Sequence, residues 1–325
     1  MYIFLNTCEM KDKIKYFPIT AYTVIMGLSG LTLIFSKYGQ LGWLPDTFYN
    51  VALWAVSSLF VAISIMYLLK RVMFPEEVMA EYRHPIRINF FPTISISLLL
   101  LSIAFEGYNK TVSAWLWWPG VALQTWFALN AISYWIQHNY QIQHFNPAWF
   151  IPAVGNVLVP VSGIEHAPMI ISYFYFSSGM FFWIVLFVIF LYRVVFHGQL
   201  AEKFIPTFFI LIAPPAVGFI SYMKFFPSWD GFSMFMLMMA LFFVLLLAKM
   251  GKSFTKLRFF MSWWAFTFPM TAITVATALA WEMTGIHEFK YISWALGAMA
   301  AVIISIVAYK TIAHMRKGEI CVMEE

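Results

Sequence analysis

The chain has 325 residues, of which 62% are hydrophobic, 20% are aromatic and only 11% are charged. A water-soluble domain usually carries about 25% charged residues because its surface faces water, so this composition excludes a soluble fold and indicates a membrane protein. Cys8 and Cys321 are the only cysteines and lie far apart in the sequence, which excludes a disulfide scaffold. The net charge of +5 comes from basic residues scattered between apolar runs, a distribution that does not indicate nucleic-acid binding.

Ten apolar runs are long enough to cross the hydrocarbon core of a bilayer, which takes roughly 20 residues. The first run follows Lys11, Lys13 and Lys15 and lacks a small-residue cleavage site, so we expect it to remain as the first helix and not to be removed as a signal peptide. The runs predict one transmembrane domain over residues 1–325, with short tails at about 1–15 and 310–325. The predicted spans are 17–36, 48–69, 90–106, 114–136, 147–164, 169–191, 204–223, 231–248, 261–281 and 291–309.

The basic residues between these spans predict the orientation of the chain. Only Lys37, Lys110, Lys224 and Lys290 fall on one predicted side, and the other Lys and Arg residues, of 20 in all, fall on the opposite side. Positive residues concentrate on the cytoplasmic side of membrane proteins, so we expect both termini to be cytoplasmic. The predicted location is the plasma (bacterial inner) membrane, with multiple passes through the lipid bilayer.

A proline motif recurs in the odd-numbered spans and in none of the even-numbered ones. Five two-helix units in one orientation indicate quasi-fivefold packing around a central axis. The alternative is that proline is common at helix starts, where its missing N–H costs nothing; Pro152 and Pro269 speak against this, because they fall inside their predicted spans. The motif reads Tyr16-Phe17-Pro18, Phe90-Phe91-Pro92, Phe150-Ile151-Pro152, Phe204-Ile205-Pro206 and Thr267-Phe268-Pro269.

Small and hydroxyl-bearing residues concentrate in the odd spans, for example Gly27, Ser29 and Gly30 in the first, whereas the eighth span is mostly Phe, Met and Leu. Large apolar side chains tolerate lipid, and small ones permit close helix approach or line a wet cavity. We therefore predict an all-α membrane fold of ten helices in five quasi-symmetric hairpins, with inner odd helices lining a pore and outer even helices around them. Tight packing without a pore is the alternative.

Charged residues are absent from the centres of the predicted spans; Glu106, Glu165 and Glu282 lie near the outer ends of spans 3, 5 and 9. Ion-coupled transporters usually carry a titratable group near the midplane, so this pattern favours passive conduction. Hydroxyls, backbone dipoles and a basic cytoplasmic face would hold the permeating species weakly and would favour anions. The glutamates are alternatively ordinary interfacial residues.

The sequence predicts neither an enzyme nor a cofactor. The seven histidines are scattered over loops, none forms an i,i+4 pair suited to a metal site, and no phosphate-binding glycine loop is present. His138 and His144, in the loop between spans 4 and 5, are the nearest approach to a ligand pair. We expect no bound metal.

Three motifs in spans 1, 5 and 9 resemble the tellurite-resistance/dicarboxylate transporter family, which includes bacterial TehA and the plant guard-cell slow anion channels. The similarity extends over essentially all ten spans. The motifs are Phe17-Pro18-Ile19-Thr20 with Met26-Gly27-Leu28-Ser29-Gly30-Leu31, then Trp149-Phe150-Ile151-Pro152-Ala153-Val154-Gly155-Asn156, and Trp263-Trp264-Ala265-Phe266-Thr267-Phe268-Pro269-Met270-Thr271.

This resemblance implies a homotrimer in which each protomer has its own pore for small inorganic anions such as chloride and nitrate. It also implies that a phenylalanine of the ninth helix occludes the pore; the matching residue is Phe268, with Phe266 as second choice. Where family members often have a glycine four residues before Gly27, this chain has Thr23. The residues that we predict to line the pore are Thr20, Thr23, Gly27, Pro92, Ser95, Pro152, Asn156, Pro206, Pro214, Thr271 and Thr274.

The leading hypothesis is therefore an anion-selective channel with a phenylalanine gate. The alternative is a secondary transporter or exporter of C4-dicarboxylates, sulfite or tellurite-related oxyanions, because members of one fold family differ in substrate.

Overall fold

The computed structural model describes residues 11–322, and this range is almost entirely helical, without a β-strand. Eight helices are long and apolar enough to cross a membrane. We number the helical stretches that coincide with the predicted spans as segments 1 to 10. The eight are segments 1 (Ile19–Gln40), 2 (Asp46–Met73), 3 (Arg87–Glu106), 6 (Met169–Phe196), 7 (Glu202–Phe225), 8 (Gly231–Lys249), 9 (Met261–Thr284) and 10 (His287–Arg316).

Segments 4 and 5 do not belong to those eight. Segment 4 is one helix, Lys110–Gln137, with Pro119 inside it. Segment 5, Pro147–Gly163, is shorter than those eight helices. It alternates between two helix types: Pro147–Trp149 is 3-10, Phe150–Val154 is α, Gly155–Leu158 is 3-10 and Val159–Gly163 is α.

Each odd segment begins with a 3-10 helix, and within residues 11–322 no even segment does. The repeated proline lies at or near this start, because it lacks the N–H that an α-helix interior requires. Pro152 and Pro269 are each the third residue of an α-helix that follows directly on a 3-10 stretch. The 3-10 stretches are Ile19–Ala21, Arg87–Phe90, Pro147–Trp149, Glu202–Ile212 and Met261–Phe266.

The odd segments are also the more buried ones. In the most apolar stretch of segments 1, 3, 7 and 9, the buried share of residues is 50%, 83%, 67% and 72%. The corresponding share is 22% in segment 2 and 33% in segments 6, 8 and 10. Every residue of segment 5 is buried. The even segments instead expose large apolar side chains, such as Trp54, Phe181 and Leu245, to the surroundings.

The contacts between segments follow a simple order. Segment 1 packs against segments 3 and 9, segment 5 against segments 3 and 7, and segment 7 against segment 9, so the odd segments form a closed ring. Each even segment packs on the odd segment that precedes it in the chain. Glycine permits the close approach of segments 1 and 9: a Cβ atom at Gly27 would overlap the hydroxyl of Thr267, and one at Gly30 would overlap that of Thr271.

Side chains of neighbouring segments donate hydrogen bonds to the irregular backbone of segment 5. Each switch between α and 3-10 geometry leaves carbonyls without a regular helical donor, and lipid offers none. Gly179 of segment 6 lets that helix lie directly against Val157 and Asn156. The donors and acceptors are Gln124 Nε2 to the Pro152 carbonyl, Ser221 Oγ to the Val157 carbonyl and Trp117 Nε1 to the Val159 carbonyl.

A buried ion pair holds the connection between segments 2 and 3. The short helix Pro75–Arg83 packs against segment 2 and the start of segment 3, and its Glu81 Oε1 lies 3.0 Å from Lys70 Nζ at the end of segment 2. Lys70 also donates to the carbonyl oxygen of Phe17 at 2.8 Å, and the Tyr67 hydroxyl donates to Glu81 Oε2 at 3.0 Å. The ion pair therefore joins the end of segment 2, the helix Pro75–Arg83 and the residues just before segment 1.

We expect Gly30→Val to lower the thermal unfolding midpoint in detergent, because the new side chain overlaps Thr271. Overpacking of this kind costs about 1–3 kcal/mol. Gly107→Val is the matched control, since a Cβ atom there meets no atom within 4 Å and its φ is −80°. Equal midpoints for the two variants would contradict the close packing of segments 1 and 9.

We expect Lys70→Met to destabilise the protein strongly, because it leaves the Glu81 carboxylate buried without its cation. Breaking a buried pair from one side costs about 3–5 kcal/mol. The double variant Lys70→Met/Glu81→Gln removes both charges, so its unfolding midpoint should lie above that of Lys70→Met. Lys15→Met breaks the more exposed Lys15–Glu77 pair and should change the midpoint little. A double variant less stable than Lys70→Met alone would refute the pairing.

Candidate functional site

A cavity of about 690 Å³ opens where the odd segments begin. Every odd segment contributes lining residues from its first turns, and so do the end of segment 2 and the connection that follows it. Lys15, Lys70, Arg87 and Lys203 line its mouth, and we call this side of the molecule the basic face. Representative lining residues of the five odd segments are Pro18, Phe90, Phe150, Phe204 and Met261.

The inner end of the cavity is apolar. The lining residues farthest along the odd segments include one large apolar side chain from each, and we call these five the inner ring. Its Phe268 side chain is only partly buried, whereas most of segment 9 around it is buried. No charged residue of the lining lies this far along a segment. The inner ring consists of Met26, Ile96, Val157, Val217 and Phe268.

Four of the site residues predicted from the sequence line this cavity together: Thr20, Thr23, Pro214 and Phe268. Thr23 Oγ1 donates to the Thr20 carbonyl at 2.6 Å, so its hydroxyl is bonded within its own helix. Thr23 and Phe268 thus line the same cavity, and the Thr23 hydroxyl already has a hydrogen-bond acceptor.

The other predicted residues are outside the cavity lining. Phe266 is 8% exposed, and its ring packs against Phe209 and Phe254 with centroids 4.8 and 5.8 Å away. Gly27 packs on Thr267, and Pro92 and Pro206 lie in the first turns of segments 3 and 7. The hydroxyls of Thr271 and Thr274 donate to the carbonyls of Phe268 and Met270. A pore-lining role for these residues stays a prediction.

Ser95, Pro152 and Asn156 belong to a buried hydrogen-bond network between segments 3, 4, 5 and 6. At its centre is Gln124, which is 0% exposed. Gln124 Oε1 accepts from Ser95 Oγ at 2.7 Å, and its Nε2 donates to the Pro152 carbonyl at 2.9 Å and to Asn156 Oδ1 at 3.2 Å. Asn156 Nδ2 in turn donates to Ser178 Oγ at 3.1 Å. The polarity of these residues is therefore accounted for by contacts between segments.

The mouth of the cavity carries an excess of positive charge. Its lining includes four lysine and arginine side chains and two glutamates, Glu77 and Glu81. The hydrogen bond from Lys15 to Glu77 raises the pKa of Lys15, which keeps it charged. Lys203 Nζ lies 5.6 Å from the ring centroid of Phe204, and no ion pair of Lys203 occurs within residues 11–322.

The opposite face has its lysines neutralised or covered. Glu106, Glu165 and Glu282, at the far ends of the odd segments, each pair with a lysine. The fourth lysine, Lys290, lies over the rings of three tryptophans. Lys110 holds the pKa of Glu165 below its usual range, and burial lowers the pKa of nearby His166. The pairs are Lys224–Glu106 at 3.1 Å, Lys110–Glu165 at 2.7 Å and Lys37–Glu282 at 2.5 Å.

Sequence reasoning missed most of the apolar lining and the charged mouth. Met26, Ile96, Val157 and Val217 are ordinary helix residues, and hydropathy does not distinguish a cavity face from a packed one. They follow the proline of the repeated motif by 8, 4, 5 and 11 residues, so the motif does not predict their positions. The loop helix Pro75–Arg83, which brings Glu77 and Glu81 to the mouth, carries a weak signal in the Phe74-Pro75 start.

Among the described residues, no group of three or more His, Cys, Asp or Glu side chains is arranged to hold a metal ion. The lining instead combines a positively charged mouth with an apolar inner end. Such a mouth attracts small anions without binding them tightly.

Several characterised and uncharacterised proteins are similar to this chain. The S-type anion channel SLAH2 of Arabidopsis thaliana is 30% identical over 335 residues, which are 95% of this chain and 63% of the plant protein. A tellurite resistance protein TehA homolog of Haemophilus influenzae is 26% identical over 230 residues, 69% of each chain. An uncharacterised transporter of Methanocaldococcus jannaschii is 27% identical over 350 residues, 97% of this chain and 99% of its own.

The family profile SLAC1, voltage-dependent anion channel, matches residues 16–312. This match confirms the family resemblance that the motifs of spans 1, 5 and 9 indicate. The members are anion channels and transporters and not enzymes, and the apolar helices fit a multi-pass membrane protein. Similarity to the TehA homolog and to plant S-type anion channels supports a role in anion transport. This chain belongs to the SLAC1 family of voltage-dependent anion channels.

Proposed function

We propose that this protein is an anion-selective membrane channel for small monovalent anions such as chloride and nitrate, with a pore in each protomer that Phe268 occludes. The observation that carries the proposal is the cavity, which runs from a positively charged mouth to an inner ring that includes Phe268. The family match and the similarity to plant S-type anion channels support the same function.

The proposed architecture has ten crossings in five hairpins, with both termini on the cytoplasmic side. Segment 4 has 28 residues, which corresponds to about 42 Å of α-helix and is sufficient to span a bilayer. All five odd segments begin at one cavity, so each even segment must return the chain to the basic face. We propose that this basic face is cytoplasmic, according to the distribution of lysine and arginine. A homotrimer in the bacterial inner membrane completes the proposal and rests on family resemblance.

The proposed gate acts by excluding water and ions. An ion that crosses the inner ring must shed its hydration shell, and apolar side chains offer no replacement for the lost water. Phe268 has the only aromatic ring among the five inner-ring side chains, and its partial exposure leaves the ring facing the cavity. Removing that ring both widens the constriction and lowers the dewetting barrier.

Selectivity would reside in the mouth and not in the gate. An excess of positive charge at the entrance raises the local concentration of anions and lowers that of cations. Because no charged lining residue lies at the inner ring, anions are not trapped there, and similar anions are discriminated weakly. These properties are those of a channel for small inorganic anions.

The alternative, a secondary transporter of dicarboxylates or oxyanions, finds less support. Coupled carriers usually need a coordinating or titratable group at the substrate site, and the inner part of this cavity lining has none. The family match also favours a channel.

We expect Phe268→Ala, reconstituted in planar bilayers, to give large currents that are independent of pH and reverse at a potential that follows the chloride gradient. A barrier lowered by about 1.4–2.8 kcal/mol corresponds to about 10- to 100-fold more current. Saturating, proton-dependent malate uptake without such a current would establish the carrier instead.

Phe266→Ala is the matched control for Phe268→Ala. It removes the same ring two residues away, but Phe266 packs on Phe209 and Phe254 outside the cavity lining. We expect it to remain closed and to lose about 3–5 kcal/mol of stability, as buried phenylalanines do. Currents from Phe266→Ala equal to those from Phe268→Ala would make Phe266 the gate.

We expect Lys203→Glu, introduced into Phe268→Ala, to lower the current of anions entering from the basic face by about two- to threefold at 0.1 M salt. At 1 M salt the effect should nearly vanish, because the screening length falls from about 10 Å to about 3 Å. Lys249→Glu makes the same charge change at the end of segment 8, away from the cavity lining, and should leave the current unchanged. Equal effects of both variants would exclude a local role of the mouth.

A further inference from the structure

The mouth of the cavity includes residues from a distant part of the sequence. Ile320 and Val322 follow segment 10, yet they line the same cavity as Tyr16, Phe260 and Phe268. We call residues 319–322 the tail. It therefore contributes to the entrance through which an ion would reach the inner ring.

A well-formed helix cap turns the tail toward the cavity. Segment 10 ends at Arg316, and Gly318 adopts a left-handed backbone conformation with φ of +74°. The Gly318 N–H donates to the Met315 carbonyl at 3.1 Å, and the Glu319 N–H donates to the His314 carbonyl at 3.0 Å. This pair of bonds is the Schellman pattern, which reverses the chain direction at a helix end.

Side-chain contacts hold the tail after the turn. Glu319 Oε2 lies 3.6 Å from His314 Nε2, and the His314 ring lies 4.5 Å from the ring of Phe259, just before segment 9. Cys321 is half-buried between the two lining residues, and burial raises the pKa of its thiol. The tail is therefore packed on the mouth, although no part of segment 10 lines the cavity.

We propose that the cavity mouth is a binding site for an apolar peptide and that its ligand is the chain's own tail, residues 319–322. Ile320 is partly buried and Val322 is 46% exposed, so the apolar surface that Ile320 buries is the main driving force for the contact. The bound tail narrows the entrance from the basic face, and its release widens it. The effect of the tail on current rests on the proposed channel function; the binding of the tail does not.

Gly318→Val tests the binding of the tail in the full-length chain. A Cβ atom at Gly318 meets no atom within 4 Å, so the substitution strains the left-handed cap without touching the cavity wall. In a Cys8→Ser background, we expect a maleimide to modify Cys321 about 5- to 30-fold faster. This factor is the shift toward released tail that the strain of a non-glycine residue in a left-handed conformation produces. Release also returns the thiol toward its ordinary pKa, which speeds its reaction.

Gly285→Val is the matched control. Gly285 has φ of +69° at the end of segment 9, and a Cβ atom there also meets no atom within 4 Å. The variant strains the same kind of cap at a helix end remote from the tail, so the rate of Cys321 modification should stay at the wild-type value. Equal rates in Gly318→Val and Gly285→Val would overturn the binding of the tail.

The consequence for conduction is measured in the Phe268→Ala background. We expect Gly318→Val to raise the current further and Gly285→Val to leave it unchanged. Faster Cys321 modification with an unchanged current would overturn the narrowing of the entrance. If Phe268→Ala itself carries no current, the proposed channel function fails, while the modification rates still decide whether the tail binds.

Discussion

Every backbone N–H and C=O group inside a bilayer must find its partner within the protein, because lipid supplies none. The odd segments of this chain carry prolines and 3-10 turns that interrupt the regular helical bonds. Their carbonyls are therefore satisfied by side chains, as Gln124 does for Pro152 and Ser221 does for Val157. Such segments have to be surrounded by protein, whereas the regular even helices can face lipid. The burial of the odd segments thus follows from these breaks in the helix backbone, whereas segment 4 keeps Pro119 inside one continuous α-helix.

The same constraint accounts for the position of the cavity. Irregular backbone is tolerated beside protein or beside a polar cavity, and this cavity lies along the 3-10 starts of the odd segments. Farther along, segments 1 and 9 return to α-helix and come into close contact through Gly27 and Gly30. Close approach of the backbones leaves no room for side chains or water between them. The last lining residues of these two segments, Met26 and Pro269, lie at the level of the glycine contacts.

The sequence was sufficient to predict features that depend on composition along one segment: the helices, the repeated proline and the greater burial of the odd segments. It was not sufficient for features that depend on which neighbour a side chain faces. Ser95 and Asn156 are polar residues of odd segments, which suggested a pore, but each bonds to Gln124. Nor does the sequence show where the fifth segment switches between 3-10 and α geometry, because side chains of other segments stabilise these breaks. Hydropathy also carries no information about the folding of the tail back onto the mouth.

The division of charge between the two faces separates gating from selectivity in the proposed channel. At the far face, glutamates neutralise Lys37, Lys110 and Lys224, whereas the basic mouth keeps an excess of positive charge. An apolar constriction resists every ion, because the cost of dehydration depends little on the sign of the charge. The proposed channel must then discriminate anions from cations before the constriction, at the mouth, where lysine and arginine enrich anions. It follows that a change at Phe268 alters how much current flows but not which sign carries it, and a charge reversal at the mouth weakens the preference for anions while the gate remains as it was.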